Sequence, residues 1–156
     1  MKGSAAAAGY RFAIVVSRVN DEITNGLLAG ARAALAEAGV AAGDVTTVEV
    51  PGAFEIPLAA KRLAESKRFH AVICLGCLIK GDTMHFEYIA SAAAHGIMDA
   101  GLATGVPIAF GVLTTLTDEQ AEIRAAAGDG NKGREAALAA VEMATLVAAI
   151  EGTARP

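Results

Sequence analysis

The chain has 156 residues, enough for one domain and too few for two of ordinary size. Its formal net charge of −4 excludes the basic footprint of a general nucleic-acid binder, although one or two local cations would still suffice to hold a single phosphate. Charged residues make up only 19% and hydrophobic ones 54%, which argues for a packed core and against disorder; without Trp, that core has to be built from Ala, Val, Leu and Ile.

No apolar run reaches the ~18–20 residues needed to span a bilayer. The opening MKGSAAAAGY lacks the apolar stretch of a signal peptide and reads as a loose arm (1–10) ahead of a single domain (11–156). A cytoplasmic chain with Cys74 and Cys77 reduced is the expectation.

Strand and helix patterns then alternate. Arg11–Ser17 is a continuous apolar run, as in a strand buried on both faces. Asp21–Ala38 carries Ile23, Leu27, Ala31 and Leu35 four apart, one stripe of an amphipathic helix, and Gly39 is a fitting stop. Val45–Val50 is the second strand; Pro51-Gly52-Ala53 turns the chain into a helix that tolerates Pro57 in its first turn. Ala71–Ile79 and Pro107–Thr115 are the third and fourth strands, with a helix from about Met84 to Ala103 between them. Thr117 with Gln120 reads as a capping box opening a short helix, and Asn131 as the cap of a last helix running to about Glu151. Four apolar strands alternating with helices predict a parallel sheet covered on both faces. The last helix is apolar nearly all round, through Leu138, Val141, Met143, Leu146, Val147 and Ile150, which suggests burial on two sides and hence an oligomer.

In open α/β sheets ligands bind beyond the carboxyl ends of the strands, so the segments that follow each strand are where chemistry is expected. They are Ser17–Asn20, Pro51–Glu55, Lys80–His85 and Leu113–Thr115. The third is the richest. Gly81 lets backbone approach a ligand, Thr83 and the first amides of the next helix face an anion, and His85 can trade protons near neutral pH. The plainer alternative is a capping turn with a surface histidine. Glu55 can accept hydrogen bonds from a polyol or from backbone amides, or can simply be an acid favoured by a helix start. Arg124 and Lys132 suit phosphate, or are ordinary solvated charges. Cys74-Leu75-Gly76-Cys77 spells C-x-x-C but lies in a strand, where residues three apart point to opposite faces, so it reads as two small core residues rather than a metal or redox site.

At these same segments the sequence resembles the lumazine synthase family. The matching runs are Val50–Pro57, Leu75–Phe86, Phe110–Thr114, Glu119–Ala121 and Asn131–Gly133, in the family's order and spacing, and the resemblance covers nearly all of 11–150. It implies a flavodoxin-like three-layer α/β/α sandwich with a four-stranded parallel sheet. It also implies homo-oligomers: pentamers, which in many members pack into an icosahedral shell. The implied reaction joins 5-amino-6-ribitylamino-uracil to 3,4-dihydroxy-2-butanone 4-phosphate, giving 6,7-dimethyl-8-ribityllumazine, phosphate and water, the penultimate step of riboflavin biosynthesis. It uses no metal or coenzyme, and riboflavin synthase is the protein partner the pathway suggests.

By position, the resemblance places Ala53, Phe54 and Glu55 at the ribityl chain and Leu78, Ile79 and Lys80 around the pyrimidine. Gly81, Asp82 and Thr83 fall where the family holds phosphate, and His85 matches its proton-moving histidine. Phe110 would line the pocket, and Arg124 and Lys132 would hold the phosphate, all three arriving from a neighbouring subunit. Where the family commonly has Phe or Trp after the first strand, stacked on the pyrimidine, this chain has Val19, an apolar contact without a ring face. Two competing readings follow: a shell-forming protein with weak or lost catalysis, and a flavodoxin-like module that binds a flavin.

Overall fold

The computed structural model describes residues 1–153. Its strands are β1 (Phe12–Ser17), β2 (Val45–Val50), β3 (Ala71–Ile79) and β4 (Ile108–Thr115); its helices are α1 (Asp21–Glu37), α2 (Ile56–Glu65), α3 (His85–Thr104), α4 (Asp118–Ala125) and α5 (Lys132–Glu151). The expected boundaries shift by one residue at several ends, where terminal hydrogen bonds fray. One short turn of tighter helix, Ala53–Glu55, separates Gly52 from α2, and Pro57 sits in the first turn of α2, where no intrahelical N–H is lost.

The strands form one parallel sheet in the order β2-β1-β3-β4. Alternation along β1 sorts its side chains onto two cores. Phe12, Ile14 and Val16 pack with α1, α4 and α5 on one face; Ala13 and Val15 pack with α2 and α3 on the other. Cys77 belongs to the first core and Cys74 to the second, so the two thiols lie on opposite sides of the sheet, as the strand spacing requires. Burial pushes the Cys77 thiol up to about 11, with Asp118 adding to it, and pushes Cys74 higher still. Both are inert packing groups at neutral pH.

Several local signals operate as written in the sequence. Gly39 takes φ 87° and closes α1: its N–H bonds to Ala36 O and the Val40 N–H to Leu35 O, each at 3.0 Å. Thr117 Oγ1 accepts from Gln120 N at 3.2 Å, but Gln120 Oε1 reaches Leu116 N at 2.9 Å rather than the threonine's own N–H, a capping box displaced by one residue. Asn131 does more than cap. Its Oδ1 accepts from Arg134 N at 2.9 Å, while its Nδ2 donates to the carbonyls of Ala125, Gly26 and Ala126 at 2.9, 3.0 and 3.1 Å. One buried carboxamide thus ties α1, α4 and α5 together. The small residues are what let α1 and α5 close on it, since a Cβ on Gly30 would strike the Asn131 amide and one on Gly133 would strike the Leu27 carbonyl.

One expectation is corrected. Residues 1–10 are not a loose arm: Ser4 N donates to Thr145 Oγ1 on α5 at 2.8 Å, Ala7 N to Ala38 O at 2.8 Å, and Ala7 and Tyr10 are buried. The Ala-rich opening is small enough to lie flat against a helix. Within one chain α5 is covered on one side only; Leu138, Met143 and Ile150 remain exposed. The apolar surface foreseen in α5 is present, and a single subunit leaves part of it uncovered.

Candidate active site

The sheet order decides where the strand-end segments meet. From β1 the chain leaves to α1 on one face, and from β3 it leaves to α3 on the other, so the backbone diverges at the carboxyl ends of these adjacent strands. Such a switch point opens a crevice, the usual ligand position in doubly wound sheets.

The β1 side of the crevice is the corner Arg18–Asn20. Arg18 N still bonds to Val50 O at 3.0 Å, Val19 stands 51% exposed, and Asn20 adopts a left-handed φ of 59° that turns the chain into α1. Val19 Cγ2 and Glu55 Oε2 lie 3.7 and 3.3 Å from the point a Cβ on Gly52 would occupy, so the valine and the carboxylate converge over that glycine. Ala53 is buried, and Phe54, next to Glu55 in the chain, is 60% exposed.

The β3 side is Leu78–His85. Leu78 and Ile79 are half-buried, and Lys80 N bonds to Thr115 O at 2.9 Å, holding the end of β3 to β4. Lys80 Nζ stands 3.5 Å from Glu87 Oε1. Gly81, Asp82, Thr83 and His85 are all exposed; Thr83 Oγ1 accepts from His85 N at 3.4 Å where α3 begins. The His85 imidazole has no hydrogen-bond partner among the described residues, so both ring nitrogens remain open to a reactant. A twenty-residue helix starting at this point favours an anion at its first amides.

Phe110, Arg124 and Lys132 are gathered elsewhere. They line one depression of about 320 Å³ along the outer edge of β4, together with Thr114, Glu135 and Ala136. Phe110, 48% exposed, pairs with Cys74 in the middle of the sheet, five residues short of the β4 end. At ~3.3 Å per residue that is roughly 16 Å from the carboxyl edge. Arg124 Nη1 donates to Gln120 O at 3.0 Å and meets no carboxylate among the described residues, while Lys132 Nζ pairs with Glu135 Oε2 at 2.7 Å. None of Val19, Ala53, Glu55 or Gly81–His85 lines this depression. The chain thus places a carboxylate and an imidazole at the switch point, and two cations with a ring on the β4 edge.

Two groups were not foreseen. Asn20 donates its Nδ2 to Cys77 O at 3.0 Å, bridging the crevice. Its only signal in the sequence is an Asn between an apolar strand and a helix, a place where left-handed backbone is common. Glu135, one turn after Lys132, carried no signal beyond ordinary charge.

A parallel α/β/α domain with an open imidazole, a carboxylate and phosphate-suited cations at its strand ends and sheet edge defines a small-molecule enzyme of flavodoxin-like architecture. The family model of 6,7-dimethyl-8-ribityllumazine synthase matches residues 9–148. A 6,7-dimethyl-8-ribityllumazine synthase of Syntrophus aciditrophicus (strain SB) is 54% identical over 146 residues, which cover 94% of this chain and 95% of that one. The chain belongs to the 6,7-dimethyl-8-ribityllumazine synthase family. No helix among the described residues is long and apolar enough to cross a membrane.

Proposed function

We propose that this chain condenses 5-amino-6-ribitylamino-uracil with 3,4-dihydroxy-2-butanone 4-phosphate in the cytoplasm, at a site completed only between adjacent subunits. The observation that carries this reading is the separation of the two half-sites: Glu55 and His85 lie at the switch point, Arg124 and Lys132 on the β4 edge. Joining one subunit's edge to the next subunit's switch point unites them. The means of joining lies alongside, an apolar groove of about 650 Å³ lined by Met98, Leu102, Phe110 and Met143, all exposed in the single chain. A second copy covers it, in a ring that the family resemblance makes a pentamer.

In the joined site the uracil lies over Val19 and Leu78–Lys80, and Glu55 accepts hydrogen bonds from the ribityl hydroxyls. The butanone phosphate lies at Gly81–Thr83, with Arg124 and Lys132 of the neighbour on its phosphate. The amine attacks the ketone and an imine forms with loss of water; phosphate leaves, and the second amine closes the ring with loss of water. Holding both reactants supplies much of the acceleration. His85 moves protons between nitrogen, carbon and departing oxygen, and the cations ease phosphate departure.

Complementation tests the arrangement. One subunit carries Glu55→Ala and His85→Ala, the other Arg124→Ala and Lys132→Ala. Mixed assemblies are expected to turn over faster than either parent, because some interfaces reunite four intact groups. Verified mixed particles with no recovery would show that each chain builds its site from its own residues. A wild-type particle without turnover on both substrates would leave a shell or a flavin module in place of the enzyme.

A further inference from the structure

We infer that Asn20 is a positioning residue for the uracil substrate: its carboxamide clasps the two sides of the switch-point crevice and thereby sets where Val19 stands. The inference rests on the reaction proposed above. The β1–β3 ladder ends at the pair Val16↔Leu75. Beyond it the strands part toward opposite faces, and no backbone bond joins the β1 corner to the β3 end among the described residues. The Asn20 Nδ2–Cys77 O bond of 3.0 Å takes over that link, immediately before Leu78 and Ile79.

Asn20 is well placed to transmit position. Its left-handed φ of 59° makes it the pivot of the corner, and its carbonyl accepts from Ile23 N and Thr24 N, both at 3.0 Å, so the residue is anchored to α1 as well. Its side chain does not cap α1; it is committed to β3. Val19 is the preceding residue and is held by no hydrogen bond of its own in the described structure, so its place over Gly52 and Glu55 follows that of Asn20. The carboxamide bonds to Cys77 O and to none of Gly81–Thr83, and the proposed phosphate cations come from the neighbouring chain, so the butanone phosphate should feel it far less than the uracil does.

Asn20→Gly separates the side-chain clasp from the backbone turn, because glycine takes positive φ without strain. Asn20→Asp keeps size and turn preference but replaces the donor with an acceptor facing the Cys77 carbonyl. Both variants should raise KM for the uracil about five- to tenfold, the scale of one lost neutral hydrogen bond, and move KM for the butanone phosphate less than about twofold. Particle mass should be unchanged. In a Val19→Ala background the Asn20→Gly effect on the uracil KM should shrink at least threefold, since the side chain through which Asn20 acts has gone. Equal shifts in both substrates, an unmoved uracil KM, or full additivity with Val19→Ala would each overturn the positioning role. If only one variant assembles, the other decides by the same readouts; if neither assembles, Asn20 is structural and the proposal falls. A wild-type particle that fails to turn over removes the reaction, and this role with it.

Discussion

Lys132 Nζ lies 2.7 Å from Glu135 Oε2, inside the depression that also holds Arg124. The cation proposed for the phosphate is thus neutralised in the free subunit by an acid on its own helix. Both side chains are largely solvated, so the pair adds little to stability, and an arriving phosphate competes with the carboxylate for one ammonium. Glu135→Gln should lower KM for the butanone phosphate about two- to fivefold and shift unfolding by less than ~0.5 kcal/mol. An unchanged or raised KM would mean that Lys132 does not meet the phosphate.

His85 opens α3 with its imidazole unengaged, so removing it should disturb chemistry rather than architecture. General acid–base help is worth ~10²–10⁴-fold, but proximity survives the substitution, so His85→Ala should lower kcat about a hundredfold or less. The measurement is steady-state turnover on particles of verified mass. Wild-type kcat in such particles would take His85 out of the reaction.

Val19 is half-exposed and borders Gly52 and Glu55. Val19→Phe should supply a ring face and tighten the uracil by about 1 kcal/mol, read as a lower dissociation constant in titration calorimetry. Weaker binding would show that the crevice is already filled when the uracil is bound.

Asn131 separates capping from donation. Asp caps helices as well as Asn does, yet it cannot donate to the carbonyls of Gly26, Ala125 and Ala126. Asn131→Ala should cost about 2–4 kcal/mol, and Asn131→Asp at least as much, by chemical denaturation. An Asp variant as stable as wild type would reduce Asn131 to a simple cap.

Much of this protein was legible along the chain because the relevant physics is short-ranged. A strand buried on both faces has to be apolar almost throughout, and β1 up to Val16 and the whole of β3 are. The stop at Gly39, the Thr117 cap and the Asn131 cap each join residues within one or two helical turns, so their partners stand next to them in the sequence. The opposite facing of Cys74 and Cys77 follows from strand periodicity alone. The family resemblance at Val50–Pro57, Leu75–Phe86 and Asn131–Gly133 is what singles out the residues proposed for the site.

Tertiary structure decided what depends on partners far apart in the chain. Asn20 finds Cys77 across 57 residues, Asn131 finds Gly26 across 105, and Ser4 finds Thr145 across 141. Nothing local marks such pairs, because a carboxamide or a hydroxyl has the same composition whether water or a distant carbonyl satisfies it. Periodicity likewise placed apolar residues on α5 but could not say which side the chain covers and which it leaves exposed. That was settled only when the order β2-β1-β3-β4 left the outer edge of β4 unpaired, with Phe110, Arg124 and Lys132 along it, and set the switch point between β1 and β3.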